Sequence, residues 1–285
     1  MIQQARHFPT HDVFDHRSMM NATTVKSSRL LTAVLLEKTK RTSVRTIFGK
    51  RFLGGSPGCA NDLLVDATSA PENFASNSAV VHDNIITQAE SDALKKDVLE
   101  RLRKRRFQKG HWDAVITDYK EVEIPSYTLS QESLVCLERL QRYIEVNNFN
   151  GKEVEWLPMH AIQLKKDSKL KAHVDSVKFS GEIVAGLSLS SPSIMRLKPA
   201  SSSEIADDDY VPDHHDESQS KSLENAGHVD LYLPPLSLYV LSGVSRFRYT
   251  HELLPTNSSF QWNGEIINVE RDTRISIIFR DKKQG

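Results

Sequence analysis

Two apolar stripes at helical spacing open the patterned part of the chain. Leu94, Val98 and Leu102 recur every fourth residue behind Thr87-Gln88-Ala89-Glu90, so a helix is predicted from that point. The four residues form a capping box, in which the Thr hydroxyl and the Glu carboxylate satisfy each other's unpaired first-turn amides. The helix ends on Arg101-Leu102-Arg103-Lys104-Arg105-Arg106, where cations complement the helix dipole. A solvated face is the plain reading of that run, and a phosphate-binding patch is the sharper one. A second helix is predicted over 132–146, burying Leu134, Leu137, Leu140 and Ile144.

After Trp156 the period shortens to two. Short β-like runs cover 156–164, 182–189, 193–197, 229–233, 236–241, 246–251 and 274–280, separated by Pro, Gly, Ser or Asn. Two helices followed by many short strands predict an α+β fold: a double-stranded β-helix, or jelly roll, backed by N-terminal helices. The last run alternates cleanly. Ile275, Ile277 and Phe279 share one face, and Arg274, Ser276, Ile278 and Arg280 share the other. Inward guanidinium groups on an apolar strand are costly unless anions meet them. Two arginines there could hold the two ends of a small dicarboxylate by charge-assisted contacts. The plainer reading gives Arg280 to its neighbour Asp281.

Charge changes the picture at the N-terminus. The 285 residues balance 37 Lys/Arg against 37 Asp/Glu, but residues 1–52 hold 10 cations and 3 acids. The remainder therefore carries 27 against 34, a net charge of −7, with no overall basic field to draw in nucleic acid. Residues 17–52 are Arg-rich, acid-poor and amphipathic around Leu30, Leu31, Val34 and Leu35, the composition of a mitochondrial transit peptide. Met19 and Met20 make a more usual presequence start than Met1, so residues 1–18 are read as an upstream extension. The expected organisation is a transit peptide over 1–52, a linker over 53–79 and one domain over 80–285. Within it, an acidic insertion is expected at 198–228: residues 204–217 carry seven acids and no Lys or Arg, a composition too polar to fold. Its His214 and His215 are read as a solvated pair. Cys59 and Cys136 are the only cysteines, which excludes a disulfide framework or Cys-rich zinc site. The longest apolar runs fall far short of a bilayer span, so no stable membrane insertion is expected. A monomer is expected.

The candidate chemistry is a His-x-Asp pair. Two residues apart in an extended strand, an imidazole and a carboxylate point to one face. With a second His from elsewhere they make a facial triad for Fe(II) that leaves positions open for a co-substrate and dioxygen. The triplet alone is weak evidence. With 11 His and 19 Asp in the chain, about 0.7 would arise by chance. Four are present: His111/Asp113, His173/Asp175, His214/Asp216 and His228/Asp230. Only His173 is followed by a long β-like run and then by a suitable third ligand, His251, 78 residues on.

Taken together, His173-Val174-Asp175-Ser176, Ala185-Gly186-Leu187-Ser188-Leu189, Ser191-Pro192-Ser193-Ile194-Met195-Arg196-Leu197, Leu238-Tyr239-Val240-Leu241-Ser242-Gly243, Thr250-His251-Glu252 and the 274–280 strand resemble the AlkB family of Fe(II)/2-oxoglutarate dioxygenases. The likeness covers about residues 80–282, including 103–113, and is strongest to the family's mitochondrial branch, linked to programmed necrosis and fatty-acid metabolism. It implies that His173, Asp175 and His251 ligate Fe(II), that Arg274 pairs with the distal carboxylate of 2-oxoglutarate, and that Arg280 lies near the co-substrate's other end. Tyr239 matches a co-substrate-binding tyrosine. Dioxygen is then the second co-substrate. There are departures: Ile162 and Leu164 stand where many relatives carry Asn and Tyr, and Ser276 replaces an Asn. No aromatic-rich stretch supplies a nucleotide-recognition lid. The resemblance implies a mitochondrial-matrix dioxygenase. A protein substrate is favoured over demethylation of mitochondrial RNA such as tRNA, and a non-catalytic interaction module is the third reading.

Overall fold

The computed structural model describes residues 62–110, 115–201 and 227–284. The expected transit peptide, residues 53–61 of the expected linker, the 111–113 motif, Cys59 and most of the acidic insertion (202–226, with His214 and His215) lie outside them. No described helix is long and apolar enough to cross a membrane.

Helix α1 (Gln88–Arg103) begins at the capping box. Thr87 Oγ1 accepts from the Glu90 amide at 3.2 Å, and the Glu90 carboxylate accepts from the Thr87 amide at 2.7 Å. Leu94, Val98 and Leu102 are fully buried, as their spacing requires. Helix α2 (Gln131–Asn148) starts at Ser130, whose hydroxyl also donates to Asp97 of α1 at 2.7 Å and ties the two helices together. Its buried stripe is Cys136, Leu137, Leu140 and Ile144, while Leu134 is only half-buried. The stripe is thus rotated slightly from the predicted one, with Cys136 rather than Leu134 in the core.

Among the described residues the strands are β1 (Val65–Asp66), β2 (Ala79–His82), β3 (Tyr119–Glu123), β4 (His160–Leu164), β5 (Leu170–His173), β6 (Ser180–Ser190), β7 (Ser193–Pro199), β8 (Val229–Leu233), β9 (Leu238–Leu241), β10 (Tyr249–Leu253), β11 (Ser258–Trp262), β12 (Glu265–Val269) and β13 (Arg274–Lys282). They form two antiparallel sheets, of order β1-β8-β7-β10-β5 and β2-β9-β6-β13-β4-β3, plus the β11–β12 hairpin. One core lies between the sheets, with Met195, Leu197, Leu231 and Leu253 from one and Val81, Leu164, Tyr239 and Leu241 from the other. A second core lies between the six-stranded sheet and the helices, where Leu94, Val98, Leu137 and Leu140 meet Ala185, Leu187, Ile275, Ile277 and Phe279. The result is the expected jelly roll backed by helices. β13 alternates as its sequence predicts: Ile275, Ile277 and Phe279 face the helices, and Arg274, Ser276, Ile278 and Arg280 take the opposite face.

Three local readings change. Residues 62–79 are not a free linker: Leu64 is fully buried, Val65 pairs with Leu231, and the Ser78 carbonyl accepts from Ser242 at 2.8 Å. The run 246–251 is not one strand. Its first residues form helix α3 (Gly243–Phe247), entered through Gly243 at φ +47, and only then does β10 begin. The β11–β12 hairpin was not anticipated although its turn signal is present. Asn263 and Gly264 both take positive φ (46° and 80°), the geometry of a two-residue Asn-Gly turn.

Candidate metal centre

β5 and β10 are neighbours, and their register sets His173 directly opposite His251. The imidazole centroids are 4.2 Å apart. The Nδ1–H of His173 donates to the Lys171 carbonyl at 2.8 Å, which leaves its Nε2 lone pair pointing into the site. Asp175 follows two residues beyond the end of β5. Its Oδ1 lies 3.3 Å from His173 Nε2 and 3.6 Å from His251 Nε2. The three ligand atoms all fall within 4.8 Å of one another. Neighbouring donors about 2.1 Å from one octahedral ion stand about 3 Å apart, so a small inward movement suffices. Two imidazoles and one carboxylate are the donor set of a non-haem Fe(II) site, and these residues fit it.

The electrostatics suit that use. Burial alone would raise the Asp175 carboxyl, but the Arg280 charge and the two imidazoles override it and hold it well below the usual carboxylate range. Burial, with His173 alongside, pushes His251 down to about 3, so its imidazole stays neutral. Burial also opposes charging of His173, but the hydrogen bond and charge of Asp175 outweigh it and raise the imidazole.

Arg280 Nε donates to Asp175 Oδ2 at 2.6 Å. It does not pair with Asp281, whose carboxylate instead accepts from the Glu182 and Ile183 amides at 3.0 and 2.7 Å. Arg274 is different. It is 4 % exposed, and its guanidinium reaches only hydroxyls: Ser193 at 3.0 Å, Ser276 at 2.7 Å and Ser188 at 3.4 Å. Among the described residues no acid pairs with it, and burial draws its pKa down to about 10. Its neighbours across β4 are Leu164, opposite Arg274 itself, and Ile162, opposite Ser276. A buried guanidinium met only by neutral groups is a receptor for an anion.

Tyr239 connects the two ends. It faces Gly186 in the β6–β9 register, and its ring lies so close that a Cβ on Gly186 would collide with it. Burial lifts its hydroxyl to about 12, with Arg274, Asp175 and Arg280 all within electrostatic reach. Gly186 carried a signal, since a glycine inside a strand marks a close approach. The Ser188 and Ser193 cradle carried none.

The structure also disposes of another His-x-Asp pair. Asp230 is held by Arg196 through two bonds of 2.8 and 2.7 Å, and His228 lies 3.8 Å from it with no third ligand among the described residues. Sequence reasoning missed Arg246, which is almost fully buried behind Asp175 and donates to its main-chain carbonyl at 2.9 Å.

No protein-family model matches the chain. Among solved structures, a Pseudomonas putida prolyl-4-hydroxylase aligns at TM-score 0.45 and 12 % identity, covering 73 % of this chain and 94 % of that one. A viral collagen prolyl hydroxylase from Paramecium Bursaria Chlorella virus-1 aligns at TM-score 0.44 and 10 % identity, covering 73 % and 98 %. In sequence, the mouse protein named alpha-ketoglutarate-dependent dioxygenase alkB homolog 7, mitochondrial, is 33 % identical over 246 residues, 86 % of this chain and 92 % of its own. The bovine protein of the same name is 31 % identical over 242 residues, 85 % and 90 %.

Proposed function

Since the chain belongs to the AlkB family of alpha-ketoglutarate-dependent dioxygenases, we propose that it is a mitochondrial Fe(II)- and 2-oxoglutarate-dependent dioxygenase that hydroxylates a protein substrate in the matrix. The observation that carries the reading is Arg274: a buried cation with no acid paired to it among the described residues, on the strand face that also brings Arg280 to Asp175. His173, Asp175 and His251 are the residues to hold iron. Iron, when bound, supplies the oxygen chemistry by which 2-oxoglutarate, O2 and a substrate C–H become succinate, CO2 and C–OH.

The chain's own residues bind and orient. Arg274 takes the distal carboxylate of 2-oxoglutarate, in surroundings made apolar by Leu164 and Ile162, which strengthens the charge–charge contact. Tyr239, packed over Gly186 and within electrostatic reach of both Arg274 and Asp175, is the residue to contact the co-substrate beside that anchor. Arg280 occupies one oxygen of Asp175, so only Oδ1 is free to face the histidines. The Lys171 carbonyl holds the His173 tautomer.

Two observations support the substrate and the compartment. No aromatic-rich stretch in the sequence supplies a nucleotide-recognition lid, and a site without one would admit a polypeptide segment. The basic, acid-poor residues 17–52 suit import, and both curated relatives are named mitochondrial. The roles in programmed necrosis and fatty-acid metabolism implied by resemblance belong to the same proposal. An RNA substrate is the second reading, favoured by one feature: Lys120 and Lys165 both lie over the Phe107 ring, at 4.7 and 4.4 Å, next to the basic end of α1.

The test is to trap partners from mitochondria with a His251→Ala variant and to analyse both protein and RNA. Enrichment of one protein that wild-type enzyme hydroxylates in a 2-oxoglutarate-dependent way supports the proposal. Selective recovery of RNA, with affinity falling steeply with salt, moves it to the second reading. A reporter carrying residues 19–60 should enter mitochondria, and a diffuse cytosolic signal would overturn the targeting assignment.

A further inference from the structure

Asp175 is the one ligand of the centre that no strand holds. β5 ends at His173, and residues 174–179 form an irregular turn before β6 starts at Ser180. Sheet pairing therefore fixes both histidines but not the carboxylate. Three main-chain carbonyls at the two ends of this turn instead converge on one side chain. Arg246 Nη1 donates to Asp175 O at 2.9 Å, and Nη2 donates to Ser176 O at 3.0 Å and Ser180 O at 3.4 Å.

We infer that Arg246 is a positioning residue of the metal centre: its guanidinium clamps the Asp175 turn to α3 and thereby fixes the carboxylate relative to His251, five residues further along the chain. The inference rests on the metal-centre reading above. Arg246 sits on α3, which leads into β10, so a single side chain joins the segment bearing the first two ligands to the segment bearing the third. The planar fork is what the task needs, since it reaches both ends of the turn at once. A lysine would span fewer of the carbonyls.

The side chain is also an expensive choice for packing alone. It is 2 % exposed, its Nε finds no partner among the described residues, and its three bonds go to neutral carbonyls. An apolar residue of similar volume would fill the space without burying a charge. Arg280 holds the same residue from the other side, through the carboxylate. Asp175 is thus gripped at its backbone by one arginine and at its side chain by another, which leaves Oδ1 with a defined direction. Groups behind metal ligands that orient them typically change metal affinity 10- to 100-fold when removed.

The experiment is Mn(II) titration of full-length wild type, Arg246→Lys and Arg246→Met, followed by calorimetry and Mn(II) paramagnetic resonance, with circular dichroism as the check on folding. Both variants are expected to fold and to bind Mn(II) about 10- to 100-fold more weakly, with a changed resonance line shape and Lys the milder of the two. A residue that only packs would lower the melting temperature and leave affinity and line shape alone. Folded variants indistinguishable from wild type in Mn(II) binding would overturn the inference, and so would failure of both to fold, which would make Arg246 a structural residue. Wild-type protein that binds no Mn(II) would overturn the metal reading itself, and the inference with it.

Discussion

Arg280 and Asp175, 105 residues apart, form the shortest charged contact at the centre, Nε to Oδ2 at 2.6 Å. Asp175 is almost fully buried while the Arg280 side chain keeps 31 % exposure, so the pair is screened on one side only. Its stability has a pH signature. The carboxyl is depressed in the folded chain, so its contribution is complete above the unfolded Asp pKa of about 3.9 and fades as pH falls through the lower folded value. Arg280→Met should therefore cost about 1–2 kcal/mol near pH 7, allowing for the exposure. The difference from wild type should shrink below about pH 4. Urea unfolding of both proteins at several pH values measures this, and a pH-independent difference would mean the loss is one of packing.

His173→Ala or His251→Ala should abolish Fe(II) binding and succinate formation while leaving the circular dichroism spectrum and melting temperature close to wild type. The two rings meet each other and Asp175. Unchanged 2-oxoglutarate turnover by metal-stripped double variant would remove the assignment.

Arg274→Lys keeps the charge but loses the fork. Losing one buried charge-assisted hydrogen bond, worth about 1.5–3 kcal/mol, corresponds to roughly ten- to a hundred-fold weaker 2-oxoglutarate binding. Arg274→Ala should weaken it further, with Fe(II) affinity in the absence of co-substrate nearly constant. Calorimetric titration of each ligand separates the two effects. Parallel losses in both would show that Arg274 supports the fold.

Gly186→Ala places a methyl group into the Tyr239 ring in the middle of a paired strand. Overpacking of this kind costs about 1–3 kcal/mol. The cost should fall in a Tyr239→Ala background, where the obstructing ring is gone. A double-mutant cycle read by thermal unfolding checks this. Additive effects would mean that the ring moves aside freely, and Tyr239 would then be no fixed wall of the co-substrate site.

Both helices, the alternating faces of β13 and the candidate ligands His173, Asp175 and His251 could be read directly from the residues. Each depends on a period of two or of about 3.6, or on a cap four residues long, and such patterns are local. The capping box at Thr87 is a contact between positions three apart. The Ile275, Ile277 and Phe279 face needed only the strand repeat. What tertiary structure alone decided is which groups meet across strands. Register placed His173 opposite His251, and sheet stacking gave Arg280 to Asp175 rather than to its chain neighbour Asp281. It also spent Asp230 on Arg196 and so removed a rival His-x-Asp pair. The 62–79 segment reads as a linker because its few apolar residues show no period, yet Leu64 is buried because β1 adds to an existing edge beside β8. Arg246 looked like a strand residue until α3 formed and turned its guanidinium under the Asp175 turn. These contacts join residues from 34 (Arg196 and Asp230) to 166 (Val65 and Leu231) positions apart, and no repeat along the chain encodes them. They follow from how two sheets of fixed twist and spacing are laid against each other.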